Sequence, residues 1–161
     1  MEIFMKAALA EAAEAGRLGE IPIGAVVVRN GEIIASAHNL TETLKDPTAH
    51  AEILAVRKAA EELGGWRLTG CDMYVTIEPC SMCAGALVWS RIENLYIGAM
   101  DPKAGACGSV FDITGSDRLN HRINVHTGVM EDECRTLVRE FFSELRKKKK
   151  LNRRNEHNEE D

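Results

Sequence analysis

No stretch of this 161-residue sequence approaches the ~20 consecutive apolar residues that a membrane span requires. The opening residues, Met1-Glu2-Ile3-Phe4-Met5-Lys6, bring in charge too early for a secretory signal. A disulfide framework is missing as well, because five cysteines are an odd number and follow no repeating spacing. Nor is there an internal repeat, or a low-complexity linker ahead of the C-terminal charge run. These absences argue against membrane and disulfide-stapled classes, and the expectation is a cytoplasmic protein with no membrane partner. What remains is ordinary for one soluble domain: 45% hydrophobic and 28% charged residues in a chain of single-domain length.

The net charge of −5 hides an asymmetry. Residues 1–145 carry 13 basic against 21 acidic side chains, the nine residues 146–154 contribute +7, and the last seven contribute −4. A basic block on an acidic body is either a nucleic-acid contact or a solvated tail, and charge alone favours the tail. The expected division is a domain over 1–150 and a charged, disordered tail over 151–161.

Hydrophobic periodicity orders the rest. Phe4, Ala7, Ala8, Ala12 and Ala15 recur at helical intervals until Gly16 and Gly19. Two β-rich runs, residues 23–28 and 32–35, meet at Asn30-Gly31, a pair that tolerates the positive φ of a tight hairpin turn. A polar loop ending at Asp46-Pro47-Thr48 leads into a helix over 49–63 that Gly64-Gly65 stops. Strands are expected over 73–77, 95–98 and 123–126, a helix over 81–90, a Gly-rich loop over 104–108, and a terminal helix over 132–150. Strands alternating with helices imply an α/β layered sheet, with the leading hairpin adding antiparallel character.

Two short segments carry the chemistry: His50-Ala51-Glu52 and Pro79-Cys80-Ser81-Met82-Cys83. Cysteines at i and i+3 in the first turn of a helix share one face, so both sulfurs can reach one ion at about 2.3 Å. A helix N-terminus favours negative charge and so prepares thiolates. Pro79 sits just ahead, where a missing N–H costs nothing. Cys-x-x-Cys alone also fits a redox pair or half of a structural zinc site. The redox reading gives His50-Ala51-Glu52 no role, and the structural reading needs a fourth ligand, for which Cys71, Cys107 and Cys134 have no suitable spacing. Those three are read as small buried apolar residues. Two thiolates and one imidazole leave a fourth position open, which is the ligand count of a catalytic zinc site holding one Zn²⁺ per chain. Zinc depresses the pKa of bound water towards ~7, and the Glu52 carboxylate, one alanine from His50, could carry its proton to a substrate.

This pairing of His-x-Glu with Pro-Cys-x-x-Cys resembles the cytidine deaminase superfamily, whose general signature it is. Pro22-Ile23-Gly24-Ala25-Val26, His38-Asn39, Asp46-Pro47-Thr48-Ala49-His50-Ala51-Glu52, Leu68-Thr69-Gly70, Glu78-Pro79-Cys80 and Gly98-Ala99-Met100-Asp101-Pro102-Lys103 narrow the resemblance to the bacterial tRNA-specific adenosine deaminases. So do Gly108-Ser109, Asn120-His121 and Phe141-Phe142; the likeness covers residues 2–150. It implies a three-layer α/β/α fold on a mixed five-stranded sheet, a homodimer, and hydrolysis of adenosine to inosine at the wobble position of a tRNA anticodon. It further implies that Asn39 hydrogen-bonds the nucleoside, Ala51 lies in the turn under the purine, and Asp101 lies against the flipped nucleotide. Leu40-Thr41-Glu42-Thr43 departs from the commoner family sequence, which has a basic residue after the asparagine. With an RNA partner implied, Lys103, Arg118, His121, Arg122, Phe142, Arg146, Lys147 and Lys148 become RNA-contact candidates, because phosphates are met mainly by Lys and Arg. The alternatives are a deaminase of a free base or nucleoside (guanine, cytosine or cytidine) and a non-catalytic RNA-binding subunit. The latter could dispense with Glu52.

Overall fold

The computed structural model describes residues 1–159, which form one mixed sheet with helices on both sides. In chain order the elements are α1 (Glu2–Arg17), β1 (Gly24–Arg29), β2 (Glu32–His38), α2 (Thr41–Leu44), α3 (Ala51–Leu63) and β3 (Cys71–Ile77). They are followed by α4 (Ser81–Trp89), β4 (Asn94–Ala99), β5 (Asn124–His126) and α5 (Glu131–Glu159). Strand order across the sheet is β2-β1-β3-β4-β5. β1 pairs antiparallel with β2 and β3, whereas β3–β4 and β4–β5 are parallel. The hairpin turns at Asn30 and Gly31 with φ of 51° and 76°, the left-handed geometry that the dipeptide favours.

Alternation along β1 builds both cores. Ala25 and Val27 point to one face, where they pack with Ala51, Ala55 and Ala59 of α3, Met73 and Val75 of β3, and Leu87 of α4. Val26 and Val28 point to the other face and meet Met5 and Ala8 of α1, Tyr74 of β3 and Cys134 of α5. Being buried on both sides, β1 reads as a nearly continuous apolar run. Helix α1 lies so close to the sheet that a Cβ on Gly24 would stand 2.0 Å from the Ala8 carbonyl oxygen. Glycine is the residue that permits this contact.

Several elements differ from the sequence expectation. The polar loop after Asn39 contains the short helix α2, which no apolar periodicity announces. β3 begins at Cys71 rather than at 73. Helix α5 continues to Glu159, so the described part of the segment expected to be a disordered tail is an exposed helical extension. No glycine or proline follows Gly128, so nothing in the sequence ends the helix. No helix among the described residues is long and apolar enough to cross a membrane.

Candidate active site

Two helix starts converge beneath the carboxyl end of β3. Asp46 closes a tight turn by accepting hydrogen bonds at Oδ1 from the Thr48 N–H (2.8 Å) and hydroxyl (2.7 Å). The chain then extends through Ala49, whose carbonyl accepts from Leu40 N–H at 3.0 Å, and His50 becomes the N-cap of α3. Glu52 follows in the first turn. On the other side Glu78 and Pro79 leave β3, and Cys80 is the N-cap of α4, with Cys83 inside its first turn. Cys80 therefore stands one step earlier than the first-turn position expected, with an extended backbone (φ −72°, ψ 177°). Both helices present their positive ends to the same point.

His50 Nδ1 lies 3.6 Å from Cys80 Sγ and 3.5 Å from Cys83 Sγ. All three ligand atoms fall within 4.8 Å of one another. Tetrahedral zinc with sulfur at about 2.3 Å and nitrogen at about 2.05 Å requires S···N separations of about 3.6 Å. The donor set therefore fits one zinc ion with a coordination position to spare, as the spacing in the sequence suggested.

The charges suit this role. Hydrogen bonds from Cys83 and then His50 hold the Cys80 thiol down at about 3, which favours the thiolate that a metal needs. The Cys80 thiolate and burial push Cys83 up, and the hydrogen bond to Cys80 raises His50. Binding of a dication would displace those protons. Glu52 is buried, and desolvation raises its carboxyl above the ordinary 4.5. Cys71, Cys107 and Cys134 are all buried, and burial pushes Cys107 and Cys134 up to about 12, so both remain thiols.

A cavity of about 190 Å³ opens over the donor set, lined by Asn39, Ala51, Glu52 and Asp101 among others. Its rim consists of two loops, each tied to a buried carboxylate. Glu20 accepts from Glu42 N–H (3.0 Å), Thr43 N–H (2.8 Å) and the Thr43 hydroxyl (2.7 Å), which fixes the loop after Asn39. Glu78 accepts from the N–H groups of Asp101 (2.9 Å), Cys107 (3.0 Å) and Ser109 (3.1 Å), and from the Ser109 hydroxyl. A Cβ on Gly105 would fall 2.2 Å from the Glu78 carboxylate, so that loop wraps the acid closely.

The cytidine and deoxycytidylate deaminase zinc-binding region matches residues 1–99. The tRNA-specific adenosine deaminase of Bacillus subtilis (strain 168) is 53% identical over 154 residues, 96% of each chain. The chain belongs to the tRNA-specific adenosine deaminase family. A solved structure from studies of A-to-I editing by tRNA:A34 deaminases superposes with a TM-score of 0.83 at 47% identity, covering 85% of this chain and 99% of that one. A guanine deaminase from Nitrosomonas europaea is also similar, at TM-score 0.73 and 29% identity over 87% and 83% of the two chains.

Within this deaminase, the residues expected to meet RNA fall into separate groups. Lys103 and Phe142 share a groove with Asp101 beside the cavity. Phe141 and Lys148 instead line a second groove between α1 and α5. Arg118, His121 and Arg122 precede β5 and line neither the cavity nor its neighbouring groove. The His121 Nε2 is also engaged by the Ile92 carbonyl at 2.6 Å. Arg135 and Arg139 line the groove beside the cavity and were missed in the sequence, where they looked like ordinary solvent-facing charges of a terminal helix. Glu78 lies within the sequence motif, but no local pattern gives it this anchoring role, and Glu20 stands outside every motif.

Proposed function

We propose that the protein hydrolyses adenosine to inosine at the wobble position of a tRNA anticodon. The observation that carries this reading is the likeness to tRNA-specific adenosine deaminases along nearly the whole chain, with Glu52 buried beside a donor set that fits one zinc ion. His50, Cys80 and Cys83 hold the metal, which when bound supplies a Lewis acid that lowers the pKa of water. The Glu52 carboxylate takes a proton from the attacking water and passes it to the purine ring nitrogen beside C6. It then takes the proton of the hydroxyl newly bonded to C6 and gives it to the amine as the C6–N bond breaks, so that water and adenosine become inosine and ammonia. A carboxyl raised by burial lies closer to working pH and suits both directions of transfer. Asn39 orients the nucleoside, the small Ala51 leaves room for the ring, and Asp101 marks the side on which the flipped nucleotide enters. Single-stranded loop bases are cheap to extrude into such a pocket.

Lys103 and Phe142 meet the RNA near this entrance, and Arg146 and Lys147 contribute charge. The enzyme acts in the cytoplasm as a homodimer whose contact uses the exposed Trp89 face of α4, with Gly85 and Leu119 beside it. Across that contact Arg118, His121 and Arg122 of one subunit approach RNA held by the other. Light scattering at micromolar concentration should return twice 17.8 kDa; the monomer mass would remove the dimer. The free-base alternative has likenesses to guanine deaminases in its favour, at 29% identity over 87% of this chain and 44% over 62%, against 53% over 96% for the tRNA-specific enzyme. Inosine mapping of total tRNA after incubation with purified protein separates the two. Inosine at the wobble adenosine is expected, whereas unchanged tRNA together with ammonia release from guanine would overturn the tRNA reading.

A further inference from the structure

Helix α5 is 29 residues long, and everything from Glu144 to Glu159 is exposed. At about 100° per residue its cations are not spread evenly around the axis. Arg135, Arg139 and Phe142 lie along one side and line the groove next to Asp101 and Lys103. Projected further along the axis, the same side carries Arg146, Lys149, Lys150, Arg153 and Arg154, with Lys147 at its margin. All of these fall within an arc of about 160°, and Lys148 is the exception. Lys148 sits with Glu140, Phe141 and Glu144 on the side facing α1. Between Arg135 and Arg154 no carboxylate falls inside the arc. The result is a cationic stripe about 28 Å long that begins at the mouth of the active-site cavity and runs out along the extension.

This pattern is costly for a free helix. Arg146 with Lys150, Lys149 with Arg153 and Lys150 with Arg154 are like charges at i,i+4, which destabilise a helix. Lys147–Glu144 is the one ion pair among the described residues beyond position 140. A polyanion lying along the stripe would reverse the sign of those interactions. Residues 146–154 contain no Phe, Trp, Tyr or His, the aromatic side chains that stack unpaired bases. A line of Lys and Arg without aromatic stacking groups suits the phosphate backbone of a paired stem. Paired RNA has a deep, narrow major groove that side chains do not read, so it is met through phosphates and shape.

We propose that the outward stripe of α5 docks along the phosphates of the tRNA's anticodon stem while the loop enters the cavity. This rests on the tRNA reading above and assigns the stem, rather than the loop, to residues 146–154. The test uses full-length, zinc-loaded protein and two RNAs: an anticodon stem-loop, and the same loop as a stemless single strand. Binding is titrated from 50 to 200 mM salt. For the stem-loop, Arg153→Gln/Arg154→Gln should raise Kd at least about fivefold and flatten the log–log salt slope by about 1–2. For the stemless strand Kd should change less than about twofold, and Lys148→Gln, one charge removed from the opposite side, should leave the stem-loop slope unaltered. Circular dichroism of the variants checks that the helix persists. Equal losses on both RNAs would place the stripe on unpaired nucleotides and overturn the proposal. No loss on either would make the extension a solvated helix and overturn it too. If wild-type protein bound the stem-loop through the stripe but formed no inosine in it, the tRNA deaminase reading would fail while the stem contact stood.

Discussion

The floor of the cavity and its rim are built by different means. The floor is His50, Glu52, Cys80 and Cys83, set at the starts of two helices that pack on one face of the sheet. The rim is two loops with no sheet pairing of their own, held by buried carboxylates that accept backbone hydrogen bonds. The floor gains its precision from rigid elements. The rim gains it from charge placed under a loop, which satisfies several N–H groups at once and leaves the outer surface free to vary. The two anchors also differ from each other. Glu78 is two residues from the ligand Cys80, so its loop is tied to the metal turn, while Glu20 lies in the turn after α1 and holds its loop independently.

The sharpest way to break the distinction is on the floor. Cys83→Ala should abolish zinc retention, measured as metal per chain, and turnover with it. Full metal in that variant would dismiss Cys83 as a ligand. Glu52→Ala should keep its zinc and fold yet lose turnover by at least about 10²-fold in single-turnover assays. On the rim, Glu78→Gln turns an amide NH₂ towards backbone donors, at a cost of about 1–3 kcal/mol. Its zinc content should stay at one per chain while KM for the RNA rises more than kcat falls. A variant that lost metal instead would show rim and floor to be one unit.

Glu20→Gln should have the smallest effect and a pH signature. Burial opposes the charged carboxylate, but hydrogen bonds from Thr43 and Glu42 outweigh it, so Glu20 titrates below its ordinary 4.5. A depressed folded value means the stabilisation is complete above the unfolded pKa and is lost as pH falls through the folded one. Wild type should melt above Glu20→Gln at pH 7, and the two curves should converge as the pH drops below about 4.5. A constant gap across that range would remove ionisation from the account.

The same contrast explains what could be read from the sequence. The floor was legible because its information is local: i,i+3 cysteines, a proline before them, and a glutamate two residues past a histidine. The hairpin was legible for the same reason at Asn30-Gly31. The rim was not, because Glu20 and Glu78 find their partners 22 to 31 residues away, through tertiary packing that no local pattern encodes. The extension of α5 was misread because a charge run resembles a solvated tail, although Lys, Arg and Leu continue a helix well once it has begun. Arg135 and Arg139 were invisible until the helix was seen to lie beside the cavity.

His50 and Cys80 are 30 residues apart, with all of α3 and β3 between them. A metal held by both is therefore a removable cross-link, closing a loop whose ends the unfolded chain rarely brings together. The thiolate–imidazole cluster is complete only where α3 and α4 both sit on the same face of the sheet, so metal retention reports the packing of that layer. Chelation at elevated temperature withdraws the cross-link without touching the hydrophobic core, and the helix ends that carry the ligands are the first places where the structure loosens.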